Sequence, residues 1–536
     1  MKYSISWNGG AILTTDQRSL PHQESPLRLT TVDGVIDAIR TLAVRGAPAI
    51  GIAGAFGVAL SALRHGAEGA TAESATAEGA QGGDAQGGSA TAEGSPAVGA
   101  LDERAQAAVR ADAARIADCR PTAVNLSWAV ARVLTRLPEG PQAILAEAEA
   151  ILAEDARANR AAARRAADLV EQLCPDRPLR ALTHCNTGRL ATAAGGTALG
   201  AILELAERGR IVEVLVDETR PLLQGSRLTA WELAEADVPY RICVDSAAAF
   251  AMAQGLVDVV LVGADRISRN GDVANKIGTY GLALAAARHG IPLVVVAPES
   301  TVDEALESGS GIVVEERRAD EVTSVAGTRT APAGAGVYNP AFDVTPGELV
   351  TAVVTESRVL EPARDDLAAQ VAAHTVHIPD HPIEGVDFQD LMPVYTQPWL
   401  VDRLARAVIT RFRGEFDHVA GIEARGFLLG MAIAQAAECS FVPLRKPGKL
   451  PPPVHAVEYE LEYGTDTLEL GEEALPAGAR VLIVDDVLAT GGTAAAAAKL
   501  VGQSGAVPAG CAVILELTGL AGRDRLSLPV FAVRAI

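Results

Sequence analysis

Residues 481–493 read VLIVDDVLATGGT: an apolar run, two adjacent carboxylates, a loop of small residues and the start of an alanine-rich helix. Such a loop at a helix N-terminus turns several backbone N–H groups toward one phosphate, and the helix dipole reinforces them. Asp485 and Asp486, just before it, are placed to accept hydrogen bonds from ribose hydroxyls. A bare T-G-G is equally an ordinary turn, whereas the whole hydrophobic-D-D-hydrophobic-x-x-T-G-G-T string is specific. Two further residues stand where chemistry is done. Cys185 follows ALTH and precedes N-T-G, where a helix start lowers a thiol pKa, which makes it a candidate acid/base. Asp265 closes the apolar run DVVLVGAD, where desolvation raises a carboxyl toward use as a proton donor. Taken alone, Cys185 is equally a small core residue and Asp265 equally a helix cap.

These groups need strand ends to hold them. From about Arg180, the β-rich runs ALTH, VEVLVDE, YRICVD, DVVLVGAD and PLVVVAP alternate with helical stretches such as those from Leu190 and Leu228. The alternation predicts an α/β fold with a Rossmann-like parallel sheet over 175–357. Such sheets bind ligands at the carboxyl ends of their strands, where Cys185 and Asp265 fall. Ahead of it, residues 1–170 form a mainly helical subdomain, with helical patterns in GAPAIGIAGAFGVALSALRHG, 101–118 and 123–137. Residues 66–100 hold almost only Gly, Ala, Ser, Thr, Glu and Gln, which predicts a disordered insertion. A linker is expected over 358–371, around LEPARDD. A second α/β domain follows over 372–536, with strands DHVAGIE, CSFVPL, ARVLIVDDV and GCAVILEL. The halves share no repeat.

At 536 residues the chain exceeds one ordinary core, which predicts two or three domains. A net charge of −21 disfavours a nucleic-acid binder, so local arginines, lysines and amides must hold any anionic substrate. The apolar runs are strand-sized, short of a membrane span, and MKYSISWNGG lacks a leader pattern, which predicts a cytoplasmic protein. Six scattered cysteines (Cys119, Cys174, Cys185, Cys243, Cys439, Cys511) without C-x-x-C pairing argue against a disulfide framework and a zinc site.

The 481–493 string resembles the phosphoribosyl-diphosphate motif of type I phosphoribosyltransferases. Around it IPDHPIEGVDFQDLMPVY, GIEARGF, PLRKPGKLP and YELEYGTDTLEL resemble the adenine phosphoribosyltransferases, over about 372–536. The resemblance implies conversion of adenine and phosphoribosyl diphosphate to AMP and diphosphate. It places Ala489, Thr490, Gly491, Gly492 and Thr493 around the 5′-phosphate and Asp485 and Asp486 on the ribose. It puts Arg425 in the purine pocket and turns Arg445, Lys446 and Lys449 toward the diphosphate. Glu462 and Tyr463 match a mobile loop whose closure keeps water from an oxocarbenium-like transition state. Glu462 is the candidate to manage the purine proton, or else a solvated strand residue. Mg2+ is implied, because diphosphate leaves poorly until a hard cation neutralises it. Gln389 stands where many relatives carry a basic residue, which bears on how tightly diphosphate is held.

Residues 1–357, apart from the insertion, resemble methylthioribose-1-phosphate isomerase. The stretches that match are VRGAPAIGIAGAFGVAL, RPTAVNLSWA, THCNTGRLATAAGGTALG, VDETRPLLQGSRLTAWEL, VGADRISRNGDVANKIGTY and YNPAFDVTP. A sugar phosphorylated at C1 cannot open on its own to an aldehyde, so the implied reaction needs two groups. Asp265 would protonate the ring oxygen while Cys185 moves the hydrogen between C2 and C1, a hydride shift being the alternative for that second step. The product is methylthioribulose 1-phosphate, and no metal is called for. Arg45, Gly46, Ala47, Arg120, Gln224, Asn275 and Lys276 match the family's substrate contacts; Arg45 and Arg120 are otherwise ordinary surface charges.

The same fold serves ribose-1,5-bisphosphate isomerases and regulatory subunits of a translation-initiation exchange factor. Ribose-bisphosphate or deoxyribose-phosphate isomerisation and a non-catalytic sensor are therefore the competing expectations. R-G-A-P-A-I-G favours the methylthioribose branch, and Cys185 with Asp265 favours catalysis. Phosphorolysis of methylthioadenosine releases adenine and methylthioribose 1-phosphate, the substrates implied for the two halves, so a salvage fusion is expected. Both families usually form dimers, which predicts a homo-oligomer.

Overall fold

The computed structural model describes residues 3–78, 100–120, 124–325, 327–381, 387–461 and 464–536. The chain opens with an antiparallel sheet that its sequence pattern does not predict: β1 (Ile5–Asn8), β2 (Ala11–Thr15) and β3 (Pro26–Leu29). Five helices follow, α1 (Val32–Arg40), α2 (Ala47–Glu78), α3 (Glu103–Ala117), α4 (Val124–Leu134) and α5 (Pro141–Leu173). Thr31 caps α1 by accepting the Gly34 N–H, and Val35, Ile36 and Ile39 bury one face of that helix.

Two expectations are corrected here. Over Ala47–Ala67, α2 is long and apolar enough to cross a membrane, so the apolar runs are not all strand-sized. Most of that stretch is buried against α1, α3, α4 and α5 as the centre of a core. The segment 66–100 is helical through Glu78, since its Ala- and Glu-rich composition continues α2 readily; 79–99 lie outside the described residues.

Helix α5 belongs to two cores. Ile144, Ala148 and Ile151 pack with the first helices, whereas Ala162, Ala166 and Val170 pack on the main sheet, so the subdomain boundary expected after residue 170 runs through a shared helix. That sheet has seven strands: β4 (Leu179–Thr183), β5 (Ile211–Asp217), β6 (Tyr240–Cys243), β7 (Val259–Val262), β8 (Leu293–Val296), β9 (Ala352–Val354) and β10 (Val359–Leu360). Their order is β10-β9-β8-β7-β4-β5-β6, parallel except for β10. VVLV of β7 and LVVV of β8 are buried throughout, as central strands covered on both faces must be. Chain order reverses between β4 and β7, and there a crevice opens at the carboxyl ends.

The expected linker is structured. Strand β10 closes the first sheet, and α6 (Pro362–Ala373) inserts Leu367 and Val371, four residues apart on one helical face, into the core of the second half. Arg403, on α7 (Pro398–Arg411), pairs with Asp366 at 2.8 Å and with Glu348 of the first half at 3.6 Å. Arg413 Nη1 donates to the Asp258 carbonyl at 3.2 Å. Asp258 precedes β7, so this join lies at the end of the first sheet opposite Cys185 and Asp265.

The second half is built on β11 (His418–Ile422), β12 (Ser440–Leu444), β13 (Arg480–Val484), β14 (Val487–Leu488), β15 (Val507–Glu516) and β16 (Val530–Ala535). They are parallel, in the order β12-β11-β13-β15, with β14 and β16 also on β15. Helix α8 (Gly492–Gln503) follows the 481–493 turn, and the hairpin Val454–Leu461 with Gly464–Gly471 packs on it.

Candidate active sites

In the first half the R-G-A-P turn leads straight into α2. Gly46 has φ +95, and a Cβ there would stand 2.3 Å from the Ala191 carbonyl oxygen, so glycine lets the start of α2 close onto the crevice of the sheet. Arg45, Gly46, Ala47, Arg120, Cys185, Gln224, Asp265, Asn275 and Lys276 line one cavity of about 160 Å³. Every residue singled out in this half from sequence is thus brought to one place.

Cys185 is 8% exposed and takes a left-handed backbone, φ 64, which costs a non-glycine residue about 1–3 kcal/mol. Its N–H donates to Thr219 Oγ1 at 2.9 Å, and its carbonyl accepts from Thr229 Oγ1 at 2.6 Å. Thr229 ends a π-helical turn, Gly225–Thr229, that begins right after Gln224. Such turns are frequent at functional sites.

Asp265 lines the cavity and is partly exposed. Burial pushes its carboxyl above the usual carboxylate range, and Lys276, Arg120 and Arg45 draw it back only in part. Burial lowers Lys276 and Arg45, against the pull of Cys185 on both. Lys276 Nζ donates to the Ala341 carbonyl at 2.9 Å and lies 4.6 Å from the centre of the Phe342 ring. Arg120 stands 3.6 Å from Glu315. Arg45 Nε and Gln224 Oε1 are buried with no hydrogen-bond partner among the described residues, polar atoms that an oxygen-rich ligand would satisfy.

Sequence reasoning missed the support behind this wall. Arg45 Nη2 donates to Asn186 Oδ1 at 2.6 Å, and Asn186 Nδ2 donates to the buried Glu232 at 2.8 Å. Asn186 lies within THCNTG, but Glu232 in TAWEL carries no local signal. His184, Asp217 and Asp245 have ligand atoms within 4.8 Å of one another. Both His184 nitrogens and both Asp245 oxygens already hold hydrogen bonds, so the cluster is committed to structure.

In the second half, β13 delivers Asp485 and Asp486 to the loop. Gly491 has φ +79, and a Cβ would stand 2.2 Å from the Gly522 carbonyl oxygen. Gly492 and Thr493 begin α8, so their N–H groups have no acceptor within the helix. The hairpin strand that carries Tyr459 packs on α8.

Burial and the charge of Asp486 push Asp485 well up; burial raises Asp486 as well, and Arg425 pulls it back. Arg425 Nε lies 2.8 Å from Asp486 Oδ2, and its guanidinium lies 5.6 Å from the centre of the Phe388 ring. Arg425 therefore anchors the acidic pair. Arg445 pairs with Glu423 at 3.1 Å and Lys446 with Asp466 at 3.0 Å, so both cations have protein partners. Gln389 is buried opposite His377 in a two-stranded ladder. Glu462 and Tyr463 lie outside the described residues.

The model described as Initiation factor 2 subunit family matches residues 43–362, and Phosphoribosyl transferase domain matches 395–531. A probable bifunctional methylthioribose-1-phosphate isomerase/methylthioribulose-1-phosphate dehydratase of Nocardia farcinica (strain IFM 10152) is 61% identical over 67% of this chain and 59% of its own length. The chain thus spans less than two thirds of that relative. Methylthioribose-1-phosphate isomerase of Roseiflexus castenholzii (strain DSM 13941 / HLO8) is 47% identical over 69% of this chain and 98% of its own. The solved 5-methylthioribose 1-phosphate isomerase from Pyrococcus horikoshii OT3 is 35% identical, with TM-score 0.56, over 70% of this chain and 96% of its own. Adenine phosphoribosyltransferase from Rhodothermus marinus DSM 4252 is 43% identical, with TM-score 0.31, over 32% of this chain and 99% of its own. The chain belongs to the initiation factor 2 subunit family, in its methylthioribose-1-phosphate isomerase branch, and carries a phosphoribosyltransferase domain behind it.

Proposed function

We propose that this chain is a bifunctional salvage enzyme. Its first half isomerises 5-methylthioribose 1-phosphate to 5-methylthioribulose 1-phosphate, and its second half makes AMP and diphosphate from adenine and phosphoribosyl diphosphate. The observation that carries the first assignment is the meeting of Cys185 and Asp265 with seven other named residues in one crevice. Burial favours the protonated form of Asp265, which gives its proton to the ring oxygen as the bond from that oxygen to C1 breaks. Cys185 then takes the C2 hydrogen as a proton and returns one to C1, while the C2 hydroxyl passes its proton to the Asp265 carboxylate and becomes the carbonyl. Arg45 and Lys276 supply positive charge for the phosphate, and the unpartnered Gln224 Oε1 can accept from a sugar hydroxyl.

The second assignment is supported by the acidic pair, the small-residue loop at the start of α8, and the adenine-type motifs around them. Asp485 and Asp486 set two carboxyls beside one guanidinium, a hard oxygen donor set; a magnesium ion entering with the diphosphate would favour their charged forms against the burial that raises both, which fits such an ion. Asp485 and Asp486 would face it, and bound there it neutralises charge on the leaving group. The chain itself grips the 5′-phosphate at 489–493 and orients the ribose.

A substrate panel tests both assignments. Faster turnover of ribose 1,5-bisphosphate than of methylthioribose 1-phosphate would overturn the first. Preference for hypoxanthine or guanine over adenine would overturn the second.

A further inference from the structure

Directly before Cys185 stands a histidine that does not line the cavity. His184 is 1% exposed; its Nδ1 lies 2.9 Å from Asp217 Oδ2 and its Nε2 lies 2.8 Å from the Ile277 carbonyl oxygen. A carbonyl only accepts, so Nε2 carries a hydrogen, and Nδ1 shares a second proton with Asp217. Asp217 is itself held by Cys243, whose Sγ lies 3.4 Å from Oδ1. The backbone packs flush on the ring, for a Cβ on Gly278 would come within 2.8 Å of His184 Cε1.

The ring therefore ties two strand ends together. One end carries Cys185, the next residue after His184. The other carries Asn275 and Lys276, the two residues before Ile277. Asp245 fixes the neighbouring loop by accepting the Thr219 and Arg220 N–H groups, both at 2.7 Å, and Thr219 in turn accepts the Cys185 N–H. Asp343 accepts the Gly278 N–H at 2.7 Å on the far side. Asp217, the Thr219 loop and Gly278 are thus each held in turn.

We propose that His184 is a positioning residue for the isomerase chemistry, bridging Asp217 and the Ile277 carbonyl so that Cys185 is fixed against Asn275 and Lys276 in the cavity. The proposal rests on the isomerase reading of the first half. Displacing a reacting group by about 1 Å costs roughly 10²-fold in rate, so loss of the bridge should act on turnover more than on binding.

The test uses the full chain carrying H184Q, D217N or C185S. It measures kcat and KM with methylthioribose 1-phosphate and, separately, the rate at which iodoacetamide labels Cys185, with C185S as the background. H184Q should lower kcat about 10²-fold, hold KM within about threefold and change the labelling rate at least fivefold. D217N keeps a donor toward Nδ1 and the bridge to Ile277, and should lose about tenfold in kcat. Wild-type kcat and labelling in H184Q, or a loss confined to KM, would overturn the proposal. If H184Q does not fold, the same split measured in D217N decides. No turnover of methylthioribose 1-phosphate by the unmutated chain would sink the isomerase reading instead, and labelling would still report whether His184 places the thiol.

Discussion

Replacing Asp265 with asparagine keeps the shape of the side chain and removes its proton. Burial raises this carboxyl although Lys276, Arg120 and Arg45 all oppose the shift, so desolvation outweighs three cations and the acid form persists above the ordinary carboxylate range. The active form is the protonated one. It is fully present at low pH and lost as pH rises through the raised value, so wild-type kcat should carry a descending limb at that value. Losing a general acid typically costs about 10²–10⁴-fold, or roughly 3–5 kcal/mol of barrier. D265N should therefore lose kcat by that factor and lose the limb with it. The amide is neutral like the acid form it replaces beside the cations that receive the phosphate, so KM should stay level. Phosphorus NMR of methylthioribose 1-phosphate turnover across pH gives all three quantities. A D265N enzyme within about threefold of wild-type kcat, or one whose deficit lies wholly in KM, would refute the reasoning.

Gly491→Ala forces a Cβ to 2.2 Å from the Gly522 carbonyl oxygen at φ +79, so AMP formation, followed by chromatography, should fall more than about 10²-fold while the isomerase is untouched. Asp155, in α5, is pushed up to about 8 by burial. Its folded value exceeds its unfolded one, so its contribution to stability is full below the unfolded value and is lost as pH rises toward 8. D155N should flatten the decline in melting temperature between about pH 5 and 8, and an unchanged slope would remove Asp155 as the cause. Arg413→Ala removes the donor to the Asp258 carbonyl at the join. Limited proteolysis should then cut faster around 358–371 with both kcat values kept, since the contact lies away from Cys185 and Asp265.

What was legible in the sequence is what local pattern encodes. Cys185 and Asp265 each follow a run of apolar β-formers, so their places at strand ends, and hence in the crevice, could be read directly. The acidic pair and loop of 481–493 were legible for the same reason. The support behind them was not, because it is made of distant partners: Arg45 meets Asn186 across 141 residues, and Asn186 meets Glu232 across 46. No spacing rule announces such bonds. Likewise α6 hides its packing face in PARDDLAAQV, where only Leu367 and Val371 are large and apolar, and its burial depends on a core contributed by later strands. Helix α5 spans two cores because its small alanines fit against either. Arg425 had a motif but not its partner, since Asp486 becomes its neighbour only once β11 and β13 lie side by side.

The central claim is that one chain holds two enzymes. Its most direct test gives the purified protein methylthioribose 1-phosphate in one tube and adenine, phosphoribosyl diphosphate and magnesium in another, each followed by proton and phosphorus NMR. Methylthioribulose 1-phosphate in the first tube and AMP in the second is the predicted result. AMP alone would contradict the assignment of the first half, the isomerised sugar alone that of the second, and neither product would contradict the account as a whole.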